Sequence, residues 1–544
     1  MIADIRSIRW ERIWCEIVFR EESDVPERLF LRNEKGEEAA VWQKMSGHTF
    51  RMNITNPGGG KCLPPGYYTL VTEYDAAADG EAGTVRRGRG LRRRLTARRA
   101  RRHRIVAPAE QAQLLRNGSR QFPYGDGSRA YAALWETDKK GTLFLRVVDR
   151  RLKKASGKPV DLAKSVYRRE MRRFLQEYYH ERHRLAAKQP RKKVLFLTEQ
   201  SDRLGSNLAS LRLRCLERGL DREYEFTESC RISVTDQHLG FGSWMEVVRK
   251  MAEADIIFMD DHAPVLDWLR LSADTVVVQL WHAGVGFKAS GYSRWGHLAS
   301  PAPFSCHRQY TWGVCGSEKT RDIFAEIWGI DRERVLPLGM PRLDAQVDSG
   351  RREALRARFI SRYFPVTGLN RKVILFAPTY RGKNRKDAGY PYEKIDFKAL
   401  KEACGEEWMV VFKMHPWVKT PVPIPAGYRE IMMDLSGQET IEALYPAADL
   451  LITDYSSDIY DFSVQKKPML FYAFDEEEYG RKRGFHLDYR ASAPGKVAAT
   501  FEELTEAIRQ EDFEEEKAEA YRERCFDYID SHSCDRIIDA VLVK

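Results

Sequence analysis

Long apolar runs are missing from this chain. The longest, "ADIIFM" and "DTVVVQLW", have strand length, far short of the roughly 20 residues that cross a bilayer as a helix. The opening "MIADIRSIRWERIW" carries charges throughout and has no apolar core segment, so no signal peptide is expected. Cysteine is sparse. The nine residues Cys15, Cys62, Cys215, Cys230, Cys306, Cys315, Cys404, Cys525 and Cys534 are scattered without a CxxC pair. That spacing argues against zinc, and an odd number in an unsecreted chain favours reduced, mostly buried thiols. No carboxylate cluster marks out a cage for an ion either, so no metal and no other cofactor is expected.

What is present is length and positive charge. A chain of 544 residues is too long for one ordinary core, so two or three domains are expected. The net charge of +11 points to an anionic partner: nucleic acid, acidic lipid or a phosphorylated substrate.

Residues 1–150 read as a β-rich accessory domain of sandwich type, from short runs such as "RIWCEIVF", "ERLFLRN", "YYTLVTEY" and "TLFLRVVD" divided by "NPGGG" and "LPPGYY". Inside it lies the arginine-dense "RRGRGLRRRLTARRARRHR", residues 86–104. Charge runs are usually solvated loops. The sharper reading is docking on an anionic membrane surface. RNA binding lacks the interleaved aromatics that stack on bases. Residues 151–191 read as a helical linker with a basic face, and an interfacial role is its second reading.

From Lys192 the pattern changes to α/β. Buried strand-like runs ("KKVLFLTEQ", "ADIIFMDD", "TVVVQLWHA", "YTWGVCGS", "RVLPLGM") alternate with helical segments. A second series begins at "KVILFAPTYRG" and continues through "WMVVFKMHP", "YREIMMDLS", "ADLLITDYSS" and "PMLFYAF". Two such series predict two Rossmann-like domains, 192–350 and 351–544, with ligand sites at the carboxyl ends of the strands.

Polar residues fall where strands end. "QLWHAG" places His282 there, "LFAPTYRG" Thr379 and Arg381, "VFKMHP" Lys413 and His415, and "LLITDYSSDIYDF" Asp454, Ser456 and Ser457. One histidine after a strand is more often structural than catalytic. Four such exits from two successive parallel sheets would converge on one cleft, which favours a site. Ser456 and Ser457 sit where a helix would begin, so they read as an N-cap, as a phosphate cradle, or as both.

These segments, in order along some 300 residues, resemble the CDP-glycerol glycerophosphotransferase family, the teichoic acid polymerases and primases. The resembling stretches include "QLWHAGVGFKASGYS", "YTWGVCGSEKTRDIFAEIWGID", "RVLPLGMPRLD", "ILFAPTYRG", "FKMHPWV" and "LLITDYSSDIYDFSVQKKPMLFYAFDEEEYGRKRGFHLDY". The resemblance implies a GT-B fold, two Rossmann-like domains facing a cleft, with 192–350 on the acceptor side and 351–544 on the donor side. It makes His282 and His415 the two motif histidines required for transfer. It places Asp454, Ser456 and Ser457 near the nucleotide-linked pyrophosphate, with Thr379 and Arg381 lining the same pocket. Pro341 and Arg342 fall in the family's G-x-P-R turn. Many members have Trp-His-Gly where Ala283 stands here.

The implied reaction is attack by an acceptor hydroxyl on the β-phosphorus of CDP-glycerol or CDP-ribitol, releasing CMP. His282 is the expected base, since a neutral imidazole suits that role at cytosolic pH. His415, Arg381 and Lys413 would stabilise the phosphoryl oxygens, while Lys288 and Gly284 belong to an acceptor-side loop. The expected acceptor is a lipid-linked glycan or polymer, and the expected location the inner face of the plasma membrane. Two rivals share features with this reading: a GT-B glycosyltransferase using a nucleotide sugar, and a basic nucleic-acid-binding protein led by residues 86–104.

Overall fold

In a computed structural model, the described residues are 5–20, 25–45, 47–74, 101–104, 115, 117–153, 158–188, 192–232, 240–297, 299–366, 368–382 and 385–543. They form two compact units. One gathers Met1–Lys164, Ser290–Arg308 and Glu326–Asp331, the other Ser165–Ala289, Gln309–Ala325 and Arg332–Lys544.

The first unit is a ten-stranded antiparallel sheet. From one edge its strands run Ile5–Glu11, Trp14–Phe19, Thr49–Asn53, Glu38–Lys44, Arg28–Arg32, Gly66–Tyr74, Leu143–Arg151, Arg129–Thr137 and Arg120–Tyr124. Alternation is clearest in Trp14–Phe19, where every second side chain, Cys15, Ile17 and Phe19, is buried. A sandwich of two packed sheets was expected. Instead one continuous sheet coils until its edges meet, where the Trp10 indole N–H donates to the Gly118 carbonyl at 2.6 Å. Any side chain at 118 would strike Ile8 at 2.8 Å, so a glycine stands at the seam. The core also takes in Tyr292 and Trp295 from the distant segment Ser290–Arg308. Trp295 stacks on Phe122 with ring centroids 5.1 Å apart, a pair contributing about 0.5–1.5 kcal/mol beyond its buried area.

The basic stretch 86–104 falls mostly outside the described residues. Its last four, Arg101–Arg104, form a strand paired with Gly66–Tyr74, so that end is built into the sheet rather than looped out.

The second unit contains two parallel sheets. In the first, strands run in the order Tyr224–Ile232, Lys192–Thr198, Ile256–Met259, Val276–Gln279, Trp312–Val314 and Val335–Leu336, with the two-residue Gln200–Ser201 antiparallel at one edge. In the second the order is Met432–Asp434, Trp408–Phe412, Lys372–Phe376, Leu450–Thr453, Met469–Tyr472 and Lys496–Ala498. The central strands are buried from end to end, as strands covered on both faces must be. Each order reverses once, beside Lys192–Thr198 and beside Lys372–Phe376, and ligands of open α/β sheets bind at such switch points.

Two stretches depart from the expected segmentation. The linker is in part a docked element: helix Pro159–Ala186 buries Leu175 and Tyr179, and Gln176 exchanges hydrogen bonds with the Arg270 backbone at 2.8 and 2.7 Å. At the far end, helix Ser533–Val541 buries Cys534, Ile537 and Ile538 in the core of the first parallel sheet, although 351–544 was expected to be one domain.

Candidate active site

The first sheet delivers His282 through a strained turn. Strand Val276–Gln279 ends in a fully buried glutamine, whose side chain accepts from the Trp281 N–H at 2.8 Å and donates to the Asp261 carbonyl at 3.1 Å. The chain then reverses with Trp281 at φ +58°, a left-handed conformation that costs a bulky residue about 1–3 kcal/mol. Asn207 holds it, its amide donating to the Trp281 carbonyl at 2.7 Å. The turn leaves the His282 side chain 49 % exposed, with Nδ1 3.3 Å from Asp261 Oδ2. Asp261 follows strand Ile256–Met259, at the switch point. A carboxylate oxygen so close to Nδ1 favours the tautomer with the proton on Nδ1 and the lone pair on Nε2. Next to it, burial pushes Asp260 up to about 6, with the charge of Asp261 adding to the shift.

At the second switch point, Thr379, Arg381 and Asp454 meet. The Thr379 N–H and hydroxyl both donate to Asp454 Oδ1, at 2.8 and 2.9 Å. Arg381 donates to Asp454 Oδ2 at 2.9 Å and bidentately to Asp475 at 2.6 and 2.9 Å. Burial works against its charge, yet the two carboxylates outweigh it and hold its proton more firmly. The guanidinium also lies 5.2–5.5 Å from the Tyr455, Phe474 and Tyr479 rings. Thr379 and Arg381 were expected to face the donor's phosphates. In this structure both carboxylates neutralise the guanidinium, and Asp454 is 1 % exposed. These bonds tie together the loops that leave Lys372–Phe376 and Leu450–Thr453.

His415 follows the buried strand Trp408–Phe412. Its ring packs on Tyr380 at 4.7 Å and Trp417 at 5.4 Å. The Trp417 backbone N–H donates to His415 Nδ1 at 3.2 Å, so in the neutral ring the proton sits on Nε2. Burial, then the positive charges of Lys288 and Lys413, push this histidine down to about 4. Lys413 is itself buried, which lowers its pKa, and donates to the Ser436 carbonyl at 2.9 Å.

Residues 283–289 cross from the first sheet's exit to the second's. Gly286 lies against Ser457, the Phe287 carbonyl accepts from His486 N–H at 2.9 Å, and Ala289 N–H donates to the Gly484 carbonyl at 3.0 Å. Lys288 forms a bridge with Phe485 and acts electrostatically on both His415 and Asp458. Gly284 was expected to face an acceptor. It is sealed beneath Tyr460, whose ring carbons would lie 1.9–2.2 Å from any Cβ there. Its missing side chain lets the two exits touch. Helix Asp458–Ser463 has only six residues, with Ser457 at the N-cap position making no side-chain cap. Ser456 instead accepts from the Asp458 N–H at 3.3 Å. Asp458 keeps part of its surface open, but the crowding around it, with Asp461, pushes it up to about 6.

Asp261, Asp458 and Asp475 were not picked out from sequence. Asp261 had a signal, since "ADIIFMDD" ends a strand in two acids. Asp458 and Asp475 had none beyond lying near the motifs.

A family model described as CDP-Glycerol:Poly(glycerophosphate) glycerophosphotransferase matches residues 179–543. The chain is 35 % identical over 352 residues to the teichoic acid ribitol-phosphate polymerase TarK of Staphylococcus aureus, covering 64 % of this chain and 67 % of that protein. It is 29 % identical over 271 residues to the teichoic acid glycerol-phosphate transferase of the same organism, covering 45 % and 64 %. The chain spans 67, 61 and 56 % of the lengths of three ribitol-phosphate polymerases that it matches. Among solved structures, the wall teichoic acid polymerase TagF superposes with a TM-score of 0.51 at 19 % identity, over 71 % of this chain and 98 % of that one. The folds are therefore alike.

Proposed function

The chain belongs to the CDP-glycerol:poly(glycerophosphate) glycerophosphotransferase family, and from that premise we propose that it transfers a polyol phosphate from a CDP-polyol to a hydroxyl of a teichoic-acid-type acceptor, releasing CMP. One observation carries the reading: residues 283–289 bring the His282 exit of one parallel sheet against the Ser456–Asp458 turn of the other, with Lys288 acting on His415. In this reading the two sheets are the lobes of a GT-B fold, the first on the acceptor side and the second on the donor side.

The acceptor hydroxyl gives its proton to His282 Nε2 as its oxygen bonds to the β-phosphorus. The bond from that phosphorus to the bridging oxygen breaks, and CMP departs with the electron pair. Asp261 fixes the tautomer that makes Nε2 a base. His415 stays neutral and presents Nε2–H to a phosphoryl oxygen, a preorganised donor of the kind that stabilises developing charge. Lys288 and Lys413 add positive charge, while Ser456 and Ser457 offer hydroxyls to the phosphates. Thr379, Arg381 and Asp454 hold the donor-side loops.

Ribitol phosphate is the favoured cargo, because the ribitol-phosphate polymerase TarK is more similar to this chain than the glycerol-phosphate transferase. For the acceptor we favour a lipid-linked polymer met at an acidic membrane surface. Helix Pro159–Ala186 supports this by exposing Val160, Leu162 and Tyr167 among arginines and lysines, the composition of an interfacial helix. No helix among the described residues is long and apolar enough to cross a membrane.

The test is nucleotide release from CDP-ribitol, CDP-glycerol and UDP-hexoses presented separately. CMP from the CDP-polyols, fastest with CDP-ribitol, is expected. Release from a UDP-hexose alone would replace this reading with sugar transfer.

A further inference from the structure

Arg342, the second residue of the short helix Pro341–Val347, reaches between the two exits. Its Nε and Nη2 donate to the two carboxylate oxygens of Asp461, at 2.6 and 2.7 Å. Its Nη1 donates to the His282 carbonyl at 2.6 Å. Its own backbone N–H donates to Asn207 Oδ1 at 3.0 Å, and the Asn207 amide donates to the Trp281 carbonyl at 2.7 Å. The two carbonyls of the left-handed Trp281–His282 turn are thus both tied to residue 342. Asp461 lies on Asp458–Ser463, the helix that begins at the Ser456–Asp458 turn.

This pair is almost dry, with side chains 10 and 9 % exposed. A buried ion pair is weak evidence of stabilisation, since apolar residues of the same volume often serve equally well. The third arm of the guanidinium supplies another reason for it, because only an arginine can grip a carboxylate with two N–H groups and a carbonyl with a third. A strained turn persists where its surroundings over-determine it, and Arg342 is where those restraints meet.

We infer that Arg342 and Asp461 are a positioning pair that locks the His282 turn to the Ser456–Asp458 turn, setting the distance between the base and the donor's phosphates. The inference rests on the transfer reading for its consequence in turnover. Neither residue touches the reacting atoms. Displacing a reacting group by about 1 Å costs on the order of 10²-fold.

The experiment compares the full-length chain with Arg342→Lys, Arg342→Ala and Asp461→Asn. It measures CMP release, CDP affinity, melting temperature and amide hydrogen exchange over residues 281–286. Lysine keeps the charge but not the three-way grip. Turnover is expected to fall about 30- to 100-fold in all three variants, with KM for the donor and CDP affinity within about threefold of wild type. Exchange over 281–286 is expected to rise about tenfold while strand Trp408–Phe412 stays protected, and added guanidinium should restore about tenfold in turnover to Arg342→Ala. Turnover within about threefold of wild type, or unchanged exchange in Arg342→Lys, would overturn the inference. So would joint loss of CDP affinity and melting temperature, which would make the pair a structural prop. Hydrogen exchange needs no substrate, so a wild-type protein inactive on every CDP-polyol would sink the transfer reading while leaving this readout intact.

Discussion

His282 and His415 leave two parallel sheets in the same manner, each just past a buried strand, yet their rings are wired in opposite senses. His282 has an Asp261 carboxylate oxygen 3.3 Å from Nδ1 and keeps half its side chain in the open. His415 accepts at Nδ1 from a backbone N–H and sits among aromatic rings and two lysines. The first arrangement favours a lone pair at Nε2, the second leaves a proton there. In the proposed transfer, identical residues at equivalent exits take different work according to the partner at the other nitrogen.

Glutamine separates the two roles, because its amide can donate a hydrogen bond but cannot accept a proton as a base. His282→Gln should lower the turnover number for CMP release about 10³-fold or more. His415→Ala should lower it about 10²-fold, and His415→Gln about tenfold less severely than that. Equal losses for the two glutamine variants would erase the distinction. Asp261→Asn comes next, with a loss of about 10²-fold and an unchanged melting temperature, since the asparagine amide can turn its N–H toward Nδ1 and reverse the tautomer.

The smallest effect is on stability. Asp458 has a folded pKa of about 6, raised from 3.8 by burial and Asp461, so its charge opposes folding at pH 8. As the pH falls through 6 toward 4 the native state takes up the proton first, and that penalty fades. Asp458→Asn should therefore melt higher than wild type by roughly 2 °C at pH 8, with the advantage gone near pH 4. A melting difference independent of pH would assign the charge elsewhere.

What could be read beforehand follows the same division between backbone exits and side-chain partners. Central strands are continuous apolar runs, so "KVILF", "WMVVF" and "LLIT" were plain, and with them the places where His282, His415 and Asp454 emerge. Tyr224–Ile232 was not, because a strand next to the edge carrying Glu225, Thr227, Glu228 and Arg231 has no apolar run to reveal it. The N-terminal alternation identified strands, but alternation is the same in a sandwich and in one coiled sheet. Only long-range contacts such as Trp10 with Gly118 decide between them. At the site, the carboxylate that pairs with Arg381 is invisible in the motif, because Asp475 stands some ninety residues on. Gly284 likewise reads as an open loop residue until Tyr460 closes over it.

The division of labour between the two histidines is tested most directly by nitrogen-15 NMR of histidine-labelled protein, with His282→Gln and His415→Gln used to assign the two rings. At pH 7.5 His282 should carry its proton on Nδ1 and His415 on Nε2, and His415 should remain neutral as the pH is lowered to 5. The same tautomer in both rings, or a protonated His415 at pH 6, would contradict the account.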